Sequence, residues 1–180
     1  MVGVDVVDHD ERWSGLAETL AAELITAVGS LLAEVEHLGS TAVPRLPAKP
    51  VIDLMAPVPD LAFGPSAALA LEDLGYTLTP VAMPDRSFYV RHLPPGSSAR
   101  SVHLHLVLRS DWDTKNERLF RDHLLQHPDV AATYGRLKCR LAREAVDVDD
   151  YTRAKTGLIQ QAVDAERAAR GLPLVPVWEE

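Results

Sequence analysis

The run Val51-Ile52-Asp53-Leu54-Met55-Ala56-Pro57-Val58 constrains the fold more than any other segment. A short, nearly continuous apolar stretch is typical of a strand at the centre of a sheet, buried on both faces. Such a strand needs partners at its edges and cover on its faces, so the chain must build a layered domain. Asp53 interrupts this run with a carboxylate. A buried carboxylate without a partner costs several kcal/mol, so it is normally paired, hydrogen-bonded or bound to a metal. From the residues alone, hydrogen bonding at a strand end and a metal- or substrate-holding role weigh equally.

The remaining pattern surrounds this strand with helices and further strands. Trp13, Leu16, Ala17, Leu20, Leu24, Ile25 and Val28 recur at helical spacing, which predicts an amphipathic helix over 11–28, ended by Gly29. Residues 31–38 read as a strand stopping at Gly39-Ser40, and 41–49, with Pro44 and Pro47, as a loop. Pro65 opens a helix that Gly75 stops. Strands are expected over 77–83, 88–93 and 101–108, the last two joined through Pro94-Pro95-Gly96-Ser97-Ser98. Thr114 to Glu117 fits a capping box, so a helix is expected over 115–126. Another follows from Pro128 to about Arg143, and a last long one, capped by Asp147, runs to about Arg170. The order predicts one α+β domain over 1–180 with a mixed β-sheet, flanking helices, a helical C-terminal third and an extended tail over 171–180.

At 180 residues, the formal net charge of −8 argues against binding duplex nucleic acid, which needs a basic face. A local basic pocket for a phosphate remains compatible with that charge. The one cysteine, Cys139, lies in a helical stretch without a CxxC partner and reads as structural. Residues 1–13 are acidic and lack an apolar run, and no stretch reads as the roughly 20 apolar residues that cross a bilayer. A cytoplasmic protein with no membrane partner is expected.

Ser101 to Leu108 alternates with period two, so Val102, Leu104 and Leu106 share one side and His103 and His105 the other. Two imidazoles at i and i+2 can converge on one metal ion, proton or phosphate, although an ordinary solvated face has the same pattern. The Gly39-Ser40-Thr41 turn follows a strand, where backbone amides and hydroxyls can cradle a phosphate; alone it is a weak signal. Lys49 and Arg91 are candidate phosphate cations, and His37 faces either the core or the sheet edge. Tyr134 with Lys138, and Tyr151 with Lys155, are one helical turn apart and read as structural pairs.

His37-Leu38-Gly39-Ser40-Thr41-Ala42-Val43-Pro44, followed by Ala48-Lys49-Pro50-Val51-Ile52-Asp53, resembles the signature of the GrpB family. His103-Leu104-His105, Phe120-Arg121-Asp122, Tyr134 with Leu137-Lys138, and Tyr151 to Lys155 extend the resemblance over roughly residues 10 to 168. The resemblance implies a nucleotidyltransferase-like fold. It also implies a pattern of Gly-Ser at a strand end, an Asp-x-Asp or Asp-x-Glu strand, and a third acid on a later strand, together holding two Mg²⁺ ions. Here Gly39-Ser40 and Asp53 match, but Met55 stands in place of the second acid, and His103 and His105 stand on the expected third strand. Arg45 stands where the family usually has glycine.

The expectation is a nucleotidyltransferase-like enzyme, or a nucleotide- or phosphate-binding protein, taking a small-molecule or nucleotide ligand. Asp53, His103 and His105 would be catalytic. Gly39, Ser40, Thr41, Lys49 and Arg91 would bind phosphate. His37, Asp53, His103 and His105 would ligate a divalent metal: Mg²⁺, Mn²⁺ or Zn²⁺. A non-catalytic accessory or binding module that keeps the fold, and a small-molecule transferase or cyclase of a biosynthetic pathway, stand as alternatives.

Overall fold

The computed structural model describes residues 5–62, 64–80, 83–144 and 148–177. The chain forms two compact units: a sheet unit, 10–42 with 50–113, and a helical unit built from the N-terminal segment to His9, 43–49 and the chain from Thr114 onward.

In the sheet unit, β1 (Glu36–Leu38), β2 (Val51–Val58), β3 (Thr77–Leu78), β4 (Arg86–His92) and β5 (Ser101–Leu108) form one mixed sheet in the order β1-β2-β5-β4-β3. The apolar run is β2, an inner strand as its composition requires. It is antiparallel to β1 and parallel to β5, and β4 runs antiparallel to β5. Both edge strands are very short, which limits the unpaired backbone they expose.

One face of this sheet is apolar. Ile52, Leu54, Ala56, Val58, Val102, Leu104 and Leu106 are all fully buried. Helix α1 (Arg12–Val28) packs on β1 and β2, and against α2 (Pro65–Asp73). It buries Trp13, Ala17, Leu20 and Leu24 at one-turn spacing, and the Trp13 indole N–H donates to the Ser98 carbonyl at 2.8 Å. Arg12–Leu32 has a length and hydropathy that meet the minimum for a bilayer crossing, contrary to the expectation from sequence. In this fold that segment is α1 and a 3-10 turn (Gly29–Leu32), its buried stripe serving the sheet.

The elements depart from expectation in several places. The strand expected over 31–38 is only Glu36–Leu38, because a 3-10 turn continues past Gly29 and buries Leu32. The strand expected over 77–83 is only Thr77–Leu78; residues 81 and 82 lie outside the described residues. The last long helix is broken into α5 (Val148–Arg153) and α6 (Thr156–Ala169), the latter beginning with Thr156-Gly157, both weak helix formers. The cap assigned to Asp147 lies outside the described residues.

In the helical unit, α3 (Asn116–Gln126), α4 (Pro128–Glu144) and α6 surround Val43, Leu46, Leu124, Ala131, Tyr134, Ile159 and Val163. Lys115, one residue after the expected cap Thr114, stands at the N-cap of α3 and makes no side-chain capping bond. Gly135 lets α4 sit close to the 43–49 loop: a Cβ there would lie 3.0 Å from Pro47 Cδ and 3.3 Å from Leu46 Cδ1. That loop also forms a bridge, Val7 N–H to Ala48 O and Ala48 N–H to Val7 O, both 2.9 Å. Buried Arg167 donates to the carbonyls of Pro173 and Thr114 and to Asn116 Oδ1, tying the extended tail to the helices. Arg45 holds φ +64°, the left-handed region, in the described chain the one non-glycine position with positive φ. The loop therefore keeps the backbone that glycine favours, although arginine occupies it.

Candidate functional site

Strand register decides which side chains share a face. Across the parallel β2–β5 pair, Asp53 lies beside His103 and Met55 beside His105. Across β4–β5, Phe88 lies beside His105 and Val90 beside His103. Across β1–β2, Leu38 lies beside Asp53 and Glu36 beside Met55. Paired residues point the same way, so Asp53, His103 and His105 stand together on the face opposite α1.

The Asp53 Oδ1 and His103 Nδ1 atoms are 3.6 Å apart, with 31% and 33% of their side chains exposed. Both groups therefore reach water while belonging to the sheet. The Gly39 turn packs against the same carboxylate. Gly39 has φ +67°, and a Cβ on it would collide with Asp53 Oδ2 and lie 3.0 Å from Asp53 Cγ. Ser40, half-buried, opens a 3-10 turn (Ser40–Ala42) immediately afterwards. The Phe88 ring lies 5.2 Å from the His103 ring and 4.9 Å from that of His105.

His105 is held differently from His103. Arg86 Nη1 lies 3.3 Å from His105 Nδ1, and Arg86 is itself clamped by the Asp85 carboxylate. A guanidinium only donates, so Nδ1 accepts and a neutral His105 carries its proton on Nε2. Burial, then the charges of Arg86 and His103, push the His105 pKa down from 6.5 to about 3. At neutral pH this side chain is neutral.

The charged form is disfavoured only in the folded chain. Between pH 6.5 and about 3 the unfolded chain takes up a proton that the folded chain refuses. This contribution to stability is complete above pH 6.5 and falls as the pH drops. Denaturant midpoints measured across that range should fall less steeply for His105→Gln than for the parent chain. Parallel slopes would contradict the assignment.

Three expected site residues are not brought to this face. His37 pairs with Leu54 on the opposite face, and its Nε2 lies 2.9 Å from Thr41 Oγ1. Thr41 is buried and donates its one hydroxyl proton to the Val51 carbonyl at 3.1 Å, so it accepts from His37 Nε2–H. Thr41 and His37 brace the turn rather than line it. Arg91 pairs with Val102, also on the opposite face; it bonds Glu23 of α1 at 2.9 Å and lies over the Tyr76 ring. Lys49 belongs to the helical unit, where its Nζ is 4.8 Å from the centre of the Tyr151 ring. Lys155 Nζ lies 4.2 Å from the same ring, and burial together with the Lys49 charge lowers the Lys155 pKa from 10.5 to about 8. Arg86 and Glu36 are the residues on the face that sequence reasoning missed. Arg86 was missed because β4 begins two residues earlier than its apolar pattern indicates.

Met55 is fully buried and packs with Leu38, Val107 and Trp112. The position where a second acid would stand is thus apolar and closed. A pair of Mg²⁺ ions on three carboxylates does not fit these residues. The nitrogen and oxygen of His103 and Asp53 fit one ion of the transition-metal class. Two ligand atoms about 2.0–2.1 Å from a tetrahedral ion are about 3.3 Å apart, close to the distance seen here.

The family described as GrpB protein matches residues 3–165. A UPF0157 protein of Pseudomonas aeruginosa is 34% identical, the match covering 96% of this chain and 71% of that protein. Among solved structures, the conserved protein GrpB of Enterococcus faecalis superposes with a TM-score of 0.79 at 26% identity, covering 93% of this chain and 99% of that one. Terminal uridylyl transferase 4 of Trypanosoma brucei, solved with bound dUTP, gives a TM-score of 0.56 at 14% identity, covering 94% of this chain and 57% of that one. The last likeness shows a shared nucleotidyltransferase-like fold.

Proposed function

The chain belongs to the GrpB family, and on that premise we propose that its β2–β5 face binds the phosphates of a nucleotide with the help of one divalent metal ion. The observation that carries this reading is the 3.6 Å approach of Asp53 and His103 beside the Gly39-Ser40 turn. Asp53 and His103 would hold the ion, which would neutralise phosphate charge when bound. The turn would supply backbone N–H groups and the Ser40 hydroxyl, and His105 would donate its Nε2–H to a phosphate oxygen or a base. The dUTP held by the uridylyl transferase of like fold supports a nucleoside triphosphate as the first ligand to test.

Met55 favours binding over two-metal nucleotidyl transfer, because the second ion would lack its carboxylate. Calorimetry with ATP, CTP, GTP and UTP, each with Mg²⁺, Mn²⁺ or Zn²⁺, tests the reading. Binding is expected with Mn²⁺ or Zn²⁺ in preference to Mg²⁺. Asp53→Asn and His103→Gln should each weaken it about tenfold or more, a loss of about 1.4 kcal/mol. Absence of binding with every nucleotide and metal would remove the proposal.

A further inference from the structure

The helical unit carries a second cluster of metal-ligating side chains, separate in sequence from the Asp53 face. His123 lies in the last turn of α3 and His127 caps that helix. The four-residue spacing places both imidazoles on one side, with ring centres 4.2 Å apart. Glu166 of α6 reaches them from the neighbouring helix, its Oε1 3.1 Å from His123 Nδ1. One ligand atom from each of the three residues lies within 4.8 Å of the others.

We propose that His123, His127 and Glu166 form a binding site for one zinc-class divalent ion that clips α3 to α6. The 3.1 Å separation of His123 Nδ1 and Glu166 Oε1 is near the roughly 3.3 Å edge between two ligands of tetrahedral zinc. The pair therefore needs little movement to admit an ion in place of the shared proton. His127 is the exposed member and has the freedom to close the wider gap. The other Glu166 oxygen is held by Arg170 at 3.3 Å, and Arg170 in turn contacts Asp122 at 3.2 Å. That outer contact turns Oε1 toward the histidines, as groups behind metal ligands commonly do. Two imidazoles and one carboxylate suit Zn²⁺ and its transition-metal neighbours better than Mg²⁺. Three protein ligands leave a fourth position open on the exposed side.

The test uses the full chain, freed of metal with a chelator and titrated with zinc chloride by calorimetry. The Asp53→Asn/His103→Gln background removes the ligands of the other face. In that background one equivalent of Zn²⁺ is expected to bind and to raise the thermal midpoint. Adding His127→Ala, at an exposed position that disturbs little packing, should weaken this binding at least tenfold while the metal-free midpoint stays unchanged. X-ray absorption of the zinc complex should show a nitrogen and oxygen shell without sulfur. If the background variant binds no zinc, or binds it equally well without His127, the three residues are only a hydrogen-bonded clamp between helices. Failure of nucleotide binding at Asp53 would leave this result untouched.

Discussion

Replacing Gly39 by alanine is expected to lower stability by about 2–5 kcal/mol and to abolish the nucleotide binding proposed for the Asp53 face. Two costs add. A left-handed backbone costs an L-residue about 1–2 kcal/mol, and Gly39 sits at φ +67°. Forcing a methyl into closed space costs about 1–3 kcal/mol more, and here the methyl meets the Asp53 carboxylate. Gly171→Ala separates the two terms. Its φ is also +67°, but nothing lies within 4 Å of the added Cβ, so only the backbone cost should appear. Chemical denaturation of both variants measures the difference. Equal losses would show that the turn and the carboxylate are not in contact.

The second large effect is expected at Met55. Placing with Met55→Asp the second acid that the resemblance implies should not create a second metal site. It should instead destabilise the chain by about 4 kcal/mol or more, because a carboxylate is placed in closed space among Leu38, Val107 and Trp112. Met55→Leu, which keeps volume and polarity, should cost less than about 1.5 kcal/mol. Circular dichroism through a denaturant series reads both. A Met55→Asp protein with the parent midpoint, above all one that turns over nucleotide with Mg²⁺, would show that this position opens to solvent.

The parts of the fold that were legible in the sequence are those with an unbroken period. The apolar run of β2, the alternation of β5 and the heptad-like spacing of α1 each state their own burial. The pairing of Asp53 with His103 was legible only as a resemblance, since no local pattern says that two strands fifty residues apart are neighbours. His37 and Arg91 show the limit. Each lies on a strand whose facing is set by its partner's register, and β1 is only three residues long. Arg86 was hidden because a charged residue at a strand start has no periodic signature. The His123 and His127 spacing was present in the sequence, but Glu166 is brought to it only by the packing of α3 on α6.

The pairing of β2 with β5 has one further consequence. Asp53 and His103 occupy the same rung of a parallel ladder whose neighbouring rungs are Ile52 with Val102 and Leu54 with Leu104. A shift of either strand by a single residue would bring aliphatic side chains to water and carry the acid or the imidazole beneath α1. Partial versions of this constellation are therefore excluded by the same hydrophobic force that holds the sheet, and its two halves can only be present together or lost together.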